Sequence, residues 1–283
     1  MIPTIIHQIW WQGYNNLPPN FKKNRDILIK NHDDFEYKLW DEDSINQLIQ
    51  INFINISNKI NSLNLSIIQK IDIAKYLILY KYGGIYIDFD MIFVKNIKPL
   101  FENNGNNIIF FKINFNVNWI ESLFLKIINK KILINNGFMI SPINKIFWID
   151  LVEDCLNSCE KKNILNYFTF TNVFNTTGPF ILSKNIEKTI ENFIIKDHYV
   201  CEPCFPLIDC DIDEKTFLIH KHKLSWLIGE LSEKNNFKKI IIRSIFVLYG
   251  KIRERINLIT ILTLFYSIPI LILILGPRKR IYS

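Results

Sequence analysis

The sequence predicts an α/β fold in which strands and helices alternate and pack around one sheet. Short apolar segments are separated by stretches with apolar residues at helical spacing. Such alternation is typical of a mainly parallel sheet covered by helices on both faces. A chain of 283 residues, 49% of them hydrophobic, can bury one core of this kind. We expect strands at residues 4–10, 37–40 and 85–89, and helices at residues 20–30, 41–50 and 67–82.

The last of these helices has clear signals at both ends. Ser66 is a suitable N-cap residue, and Gly83 stands where a helix commonly ends in a left-handed residue. Within the helix, Asp72 and Lys75 are three residues apart and therefore share one face. An acid and a base thus point the same way from a helix that is mostly apolar.

Two aspartates end the strand that follows this helix. Residues i and i+2 of a strand point to the same side, so Asp88 and Asp90 can converge on one cation. Carboxylate oxygens suit Mg²⁺ or Mn²⁺, and ligands of parallel sheets bind at the carboxyl ends of the strands. The pair predicts a metal site that holds an anionic group such as a diphosphate. On the pair alone, an ordinary solvated strand end stays an alternative.

Five ordered segments of the chain carry a family resemblance. The segment from Asp72 to Asp90 is the second of them, and the others are residues 2–10, 135–138, 177–179 and 220–226. In this order they resemble the DXD-containing glycosyltransferases (glycosyltransferase family 32). That family includes yeast initiating mannosyltransferases, inositol phosphoceramide mannosyltransferases and capsular polysaccharide transferases. The resemblance covers roughly residues 1–230.

The resemblance implies a GT-A fold, a Rossmann-like nucleotide-sugar transferase domain. It also implies a metal-dependent hexosyltransferase that uses Mn²⁺ or Mg²⁺. The implied donor is GDP-mannose or a UDP-hexose, and the acceptor is a glycan or a lipid, with a sphingolipid as one candidate. Retention of the anomeric configuration is implied by the family only.

The resemblance assigns roles to the charged residues of the second segment. Asp90 is implied to bind the metal directly, and Asp88 to contact the metal or the ribose. Asp72 and Lys75 are implied to hold sugar hydroxyls as catalytic-site residues. The family usually has Arg at the position of Lys75, and lysine lacks the planar fork of the guanidinium. The identity of the sugar is therefore less well determined.

The other segments supply further candidates. Trp10 matches the aromatic residue that stacks on the nucleobase, although the adjacent Trp11 is an alternative. Asn136 is expected to contact the sugar or the acceptor. Two closing groups are implied to cover the diphosphate, and two histidines are candidates for a further metal or phosphate contact. The closing groups are Ser225 and Trp226, and the histidines are His220 and His222.

Three other classes of protein remain possible from the residues alone. A haloacid-dehalogenase-type phosphatase also carries Asp-x-Asp at a strand end. Its pair usually lies near the domain start and is followed two residues later by Thr or Val, whereas here 87 residues precede the pair and Ile92 follows it. The second class is a non-catalytic, membrane-anchored sugar-nucleotide-binding protein. The third is a structural membrane protein in which the pair is incidental.

The positive charge of the chain is concentrated in its C-terminal segment. From Lys238 onward there are nine Lys or Arg and one acid, a charge of +8, against +7 for the whole chain. A nucleic-acid enzyme would be expected to carry basic residues around its catalytic groove. The distribution therefore argues against a nucleic-acid partner.

The C-terminal segment is predicted to anchor the protein in a membrane. Residues 256–276 carry no charge and as a helix would span about 30 Å, the thickness of the hydrocarbon core. We divide the chain into a GT-A domain (1–235), a basic amphipathic juxtamembrane segment (236–255), a transmembrane helix (256–276) and a short basic tail (277–283). No signal peptide is recognised, so we expect a catalytic domain that faces the cytosol, with a Golgi-lumen orientation as the alternative.

Overall fold

The structure is a computed structural model that describes residues 1–115, 119–127, 130–161, 169–204 and 212–221, together with residues 244, 248 and 249. No helix in this described part is both long and apolar enough to cross a bilayer. The predicted transmembrane helix (256–276) and basic tail (277–283) lie outside the described residues, as does nearly all of the juxtamembrane segment (236–255).

Eight strands and eight helices make up the described fold. The strands are β1 (Ile5–Ile9), β2 (Glu36–Trp40), β3 (Gly84–Ile87), β4 (Met91–Phe93), β5 (Ile109–Phe111), β6 (Phe138–Ser141), β7 (Ile194–Lys196) and β8 (Leu218–His220). The helices are α1 (Pro19–Asn31), α2 (Glu42–Asn52), α3 (Ile54–Ser62), α4 (Ile67–Tyr82), α5 (Trp119–Ile127), α6 (Phe147–Glu160), α7 (Thr169–Thr176) and α8 (Pro179–Lys188).

The main sheet has six strands in the order β2-β1-β3-β6-β5-β7. Strands β1, β2 and β3 are parallel, and β5 is parallel to β7, but β6 runs antiparallel to both of its neighbours. The prediction of an α/β fold is confirmed, whereas the expectation of a mainly parallel sheet holds only for its N-terminal half. Strand direction depends on the path of the connections through β4 and α5, which hydrophobic periodicity does not encode.

The core has two parts, one on each face of the sheet. Tyr86 of β3 packs with α2, α4, α6 and α8, whereas Ile85 and Ile87 point to the opposite face. This alternation is the period-2 pattern of a buried strand. The second face is covered by α1 and by a two-stranded ribbon of β4 and β8. The two faces are therefore covered unequally, most of the helices lying on the first.

Helix α4 and the glycines after it position the start of the candidate site. Ser66 caps α4 through a reciprocal capping box with Gln69, as the sequence predicts. Gly83 ends the helix with a φ of 61°, and a Cβ there would lie 2.8 Å from the carbonyl oxygen of Ser141. Because a side chain would collide with β6, only glycine allows α4 to turn directly into β3.

Strand β3 ends earlier than predicted. It stops at Ile87, so Asp88 and Asp90 lie in the turn that leads into β4 instead of on the strand. The amide of Met91 donates to the carbonyl of Asp88 at 3.3 Å across this turn. The pairing of β4 with β8 requires the chain to reverse here, and that long-range contact is not visible in the local sequence.

Candidate active site

A cavity of about 510 Å³ opens beyond the carboxyl ends of β1 and β3. This volume is within the range of small-molecule sites, and the location is the usual one for ligands on parallel strands. The turn after β3 contributes acidic residues to its lining. The lining also includes a set of apolar residues, Ile67, Ile68, Ile71, Val173, Phe174 and Pro179.

Asp88, Asp90 and His220 form a cluster that could hold a metal ion. One ligand atom from each lies within 4.8 Å of the other two. His220 comes from β8, which pairs with β4, and its Nε2 lies 3.3 Å from Asp90 Oδ1. The structure thus brings together three of the four residues that the sequence predicts as metal ligands. The fourth, His222, lies outside the described residues.

His220 is held between two acidic side chains. Burial lowers its pKa, but the charge of Asp90, with a further contribution from Glu202, raises the pKa to about 10. The raised pKa favours the imidazolium form, whose charge partly neutralises the acidic cluster. A metal ion bound at Nε2 would take over that role and release a proton.

Asp72 and Lys75 form a buried ion pair on α4. Their charged atoms are 2.9 Å apart, and both side chains are about 5% exposed or less. Lys75 Nζ is also 3.8 Å from Asp88 Oδ1. Burial lowers the pKa of Lys75, but the charges of Asp72 and Asp88 outweigh this and raise it above the ordinary value. Lys75 is therefore a fixed cation that connects α4 to the aspartates.

The Asp72 carboxylate receives two further hydrogen bonds. The amide of Asn136 donates to Oδ1 at 3.0 Å, and the hydroxyl of Thr177 donates to Oδ2 at 2.9 Å. Lys75 in turn donates to the carbonyl oxygen of Asn136 at 3.3 Å. The loop before β6 and the turn before α8 are thus joined to α4 at one point, and Asn136 enters the site where the sequence predicts.

Asp88 is fixed by its neighbours on β3 and β6. Tyr86, two residues earlier, donates its hydroxyl to Asp88 Oδ1 at 2.7 Å. The amide of Asp88 donates to the carbonyl of Gly137 at 2.8 Å. A Cβ at Gly137 would lie only 2.5 Å from Asp88 Oδ2. The glycine is required because the backbone just before β6 approaches this carboxylate so closely.

Both tryptophans at the end of β1 line the cavity. Trp10 meets Phe21 and Phe89 edge-to-face at centroid distances of 5.6 and 5.8 Å. Its buried indole N–H has no hydrogen-bond partner among the described residues. Trp11 is 7% exposed and packs into the larger core cluster. The indole of Trp10 therefore has an unused donor beside the cavity, whereas Trp11 mainly contributes to the core.

Residues 18–109 match the family model described as "Glycosyltransferase sugar-binding region containing DXD motif". Asp88-Phe89-Asp90, the motif that the family is named for, lies within this match. Over these residues the chain is similar to the DXD-containing glycosyltransferases. The family resemblance expected from the sequence is thereby confirmed.

Two relatives align with about a third of the chain. An uncharacterized glycosyltransferase of Acanthamoeba polyphaga mimivirus is 39% identical over 97 residues, which cover 34% of this chain and 39% of that protein. Inositol phosphoceramide mannosyltransferase 3 of Schizosaccharomyces pombe is 35% identical over 99 residues, covering 35% of this chain and 27% of the relative. The chain thus aligns with well under half the length of these two relatives.

A third relative is matched over a longer stretch. A mannosyl phosphorylinositol ceramide synthase of Saccharomyces cerevisiae is 23% identical over 265 residues, 89% of this chain and 62% of that protein. Among solved structures, the glycosyltransferase PaToxG has a TM-score of 0.44 at 16% identity and covers 67% of this chain and 69% of its own. A TM-score of this size does not establish a shared fold.

The family motifs account for only part of the site. Thr177 lies in a predicted motif but was not expected to contact Asp72. Tyr86 could have been found, because it shares a strand face with Asp88. Glu202 lines the cavity without any local signal beyond its polarity, whereas Asn135 lies in a predicted motif but was not assigned a contact. Ser225 and Trp226, the predicted closing groups, lie outside the described residues.

Proposed function

We propose that this glycosyltransferase moves a hexosyl group from a nucleotide sugar to a glycan or lipid acceptor, and that the reaction depends on a divalent cation. The observation that carries the proposal is the position of the acidic cluster. Asp88, Asp90 and His220 lie at one end of the cavity, and the Asp72–Lys75 pair lies beside them. A cation ligand set next to fixed polar groups is what binding of a diphosphate-linked sugar requires.

The ligand set fits a divalent cation and favours Mn²⁺. Mg²⁺ takes oxygen ligands in a strict octahedron, so a set with two carboxylates and one imidazole suits Mn²⁺ better. When bound, the cation supplies Lewis-acid stabilisation for the leaving diphosphate. Asp88, Asp90 and His220 would each bind the cation directly. The hydrogen bond from Tyr86 would keep Asp88 in position for this.

The protein's own polar groups would hold and orient the sugar. Lys75 and Asn136 both border the cavity, and both are held by contacts with Asp72. Groups that are held before substrate arrives lose little entropy when they bind it. We propose that sugar hydroxyls bind here. The positive charge of Lys75 would also stabilise the negative charge that develops on the leaving diphosphate.

The nucleobase would bind at the Trp10 side of the cavity. The edge-to-face contacts with Phe21 and Phe89 hold the indole of Trp10 in a fixed position. Base stacking on an aromatic ring contributes about 1–3 kcal/mol and tolerates different bases. The free indole N–H of Trp10 supplies a donor for a ribose or base oxygen.

The apolar lining of the cavity supports a lipid acceptor. Ile67, Ile71 and Phe174 are among the apolar residues that line the cavity together with the acidic cluster. A purely glycan acceptor would be better served by polar side chains. The names of two relatives include inositol phosphoceramide and phosphorylinositol ceramide. We propose an acceptor of this sphingolipid type, transfer with retention as in the family, and a GT-A fold for residues 1–235.

The proposal is tested by donor turnover in purified protein. GDP-mannose and several UDP-hexoses are supplied with Mn²⁺, with Mg²⁺ or with EDTA, and nucleotide release is measured. Asp90→Asn keeps the shape of the side chain but removes a charged ligand, so turnover should fall at least 100-fold. Asp33→Asn, which neutralises an exposed aspartate outside the cavity, is the matched control. Unchanged turnover in EDTA or in Asp90→Asn would contradict the proposal.

A further inference from the structure

Glu202 is a buried acid that no part of the proposed reaction uses directly. It follows β7 in a loop, is 1% exposed, and borders the cavity beneath His220. A carboxylate this deeply buried is costly unless hydrogen bonds or opposite charge compensate it. Its contacts therefore indicate what it does.

Both oxygens of the Glu202 carboxylate accept hydrogen bonds. Oε1 accepts from the amide of Asn135 and lies 3.1 Å from His220 Nδ1. Oε2 accepts from the backbone N–H of Asn114 at 3.0 Å. The amide oxygen of Asn135 in turn accepts from the N–H of Gly137 at 2.6 Å. The carboxylate is thus fixed on the β5 and β6 side while one oxygen faces the imidazole.

The backbone also holds Glu202 in register with His220. The N–H of His220 donates to the carbonyl of Cys201 at 3.0 Å, one residue before Glu202. The N–H of Phe217 donates to the carbonyl of Val200 at the same distance. The segment that carries Glu202 therefore runs beside β8, and the two side chains meet because their main chains are paired.

This geometry determines which nitrogen of His220 faces the aspartates. A carboxylate next to Nδ1 favours a proton on that nitrogen, which leaves the Nε2 lone pair available for a metal ion. Nε2 is the atom 3.3 Å from Asp90 Oδ1. The amide Nδ2 of Asn135 also lies 3.2 Å from Nδ1, and without Glu202 it would favour the tautomer in which Nδ1 accepts. That tautomer carries its proton on Nε2 and would remove a ligand from the set.

We propose that Glu202 is a positioning residue for the metal site: it holds the imidazole of His220 with Nε2 directed at Asp88 and Asp90. This inference rests on the proposed cation dependence. Glu202 is outside the three-residue cluster that the described geometry gives as metal ligands, so it acts through His220. The arrangement is a carboxylate–histidine–metal relay of the kind that commonly changes metal affinity 10- to 100-fold.

The test measures Mn²⁺ affinity by electron paramagnetic resonance on the full chain without donor, a readout separate from turnover. Glu202→Gln should raise the Kd for Mn²⁺ about 10- to 100-fold. In a His220→Ala background the same substitution should have no further effect, because the residue through which Glu202 acts is missing. Glu121→Gln, which neutralises another buried acid away from the cavity, should leave the affinity unchanged.

Each outcome decides the inference. Wild-type Mn²⁺ affinity in Glu202→Gln, or an equal loss in the His220→Ala background, would overturn it while the metal site stands. If the wild-type chain itself binds no Mn²⁺, the cation dependence fails and the role of Glu202 fails with it. Should Glu202→Gln not fold, Glu202→Asp keeps the charge but withdraws it from Nδ1 by one methylene, and the same loss of affinity is expected.

Discussion

Lys75 Nζ lies 2.9 Å from Asp72 Oδ1, one helical turn away on α4, and both side chains are almost fully buried. A buried ion pair is rarely retained for stability, because apolar residues of similar volume would serve as well. Here the pair borders a cavity, and Lys75 also reaches Asp88. The position of the pair indicates that it fixes the side chains of the site, although an apolar pair would give the fold equal or greater stability.

Removal of the Lys75 charge should damage both stability and donor use. Lys75→Met keeps most of the volume but leaves Asp72 buried without its cation, so the free energy of unfolding should fall by about 3–5 kcal/mol. Lys75→Arg keeps the charge and should retain most of the stability. Denaturant unfolding with parallel donor kinetics checks this. Equal stability of Lys75→Met and wild type would show that the ion pair is not needed to compensate Asp72.

Gly137→Ala should weaken metal binding through a steric effect on Asp88. The new Cβ would lie 2.5 Å from Asp88 Oδ2, so the carboxylate must move away from its position beside Asp90. We expect the Kd for Mn²⁺ and the donor KM each to rise at least tenfold.

The matched control for Gly137→Ala is Gly105→Ala. A Cβ at Gly105 meets nothing within 4 Å, although its φ of 60° adds backbone strain of about 1 kcal/mol. This control should lose some stability but no metal affinity. If both glycine variants bind Mn²⁺ like wild type, Asp88 does not depend on close packing against β6.

His7 should make the protein less stable in mild acid. The ring contacts the carbonyl of Gly83 through Nε2 at 3.0 Å, and its Nδ1 accepts from the indole of Trp40 at 3.2 Å. Protonation of Nδ1 would place two hydrogen-bond donors opposite each other and break the hydrogen bond from Trp40. Burial, with a smaller effect from the charge of Lys38, lowers the pKa of His7 to about 4.

The sign of the pH effect follows from this lowered pKa. Between pH 6.5 and about 4 the unfolded chain binds a proton at His7 that the folded chain does not, so stability falls as pH falls. From pH 7 to pH 5 the His7 contribution is about 2 kcal/mol. In His7→Gln this part of the pH dependence should disappear from the free energy of unfolding. The raised pKa of His220 makes stability rise as pH falls, but this contribution is the same in both proteins, so the comparison isolates His7. An unchanged slope of stability against pH in His7→Gln would exclude the proposed effect of His7.

The C-terminal segment should bind membranes independently of catalysis. A chain that ends at Asn236 should remain soluble and turn over donor in water, whereas the full chain should require detergent. One contact could oppose this separation: Tyr249 donates its hydroxyl to the buried Glu121 of α5 at 3.0 Å. Carbonate extraction and donor turnover of both chains provide the test. Loss of donor turnover in the shortened chain would make the segment part of the catalytic domain.

Local sequence patterns were sufficient to predict the helices and strands of the N-terminal half. All six predicted strands and helices are present with ends within two residues of expectation. These elements have strong local signals, such as the capping box at Ser66 and the glycine that ends α4. The direction of β6 and the early end of β3 were not predictable, because both depend on strands that lie far away in sequence.

The sequence by itself indicated the family resemblance and the α/β class. It also indicated that Asp72, Lys75, Asp88 and Asp90 converge, since α4 and β3 are contiguous and their periodicities direct these side chains. Only the tertiary structure decided which distant groups complete the site. Thr177 and Glu202 reach it from separate elements, and the fold places His220, which the resemblance had nominated, beside Asp90. The Thr177–Asp72 and His220–Asp90 contacts each join residues more than one hundred positions apart and leave no local pattern, because their geometry exists only after the sheet and the β4–β8 ribbon have formed.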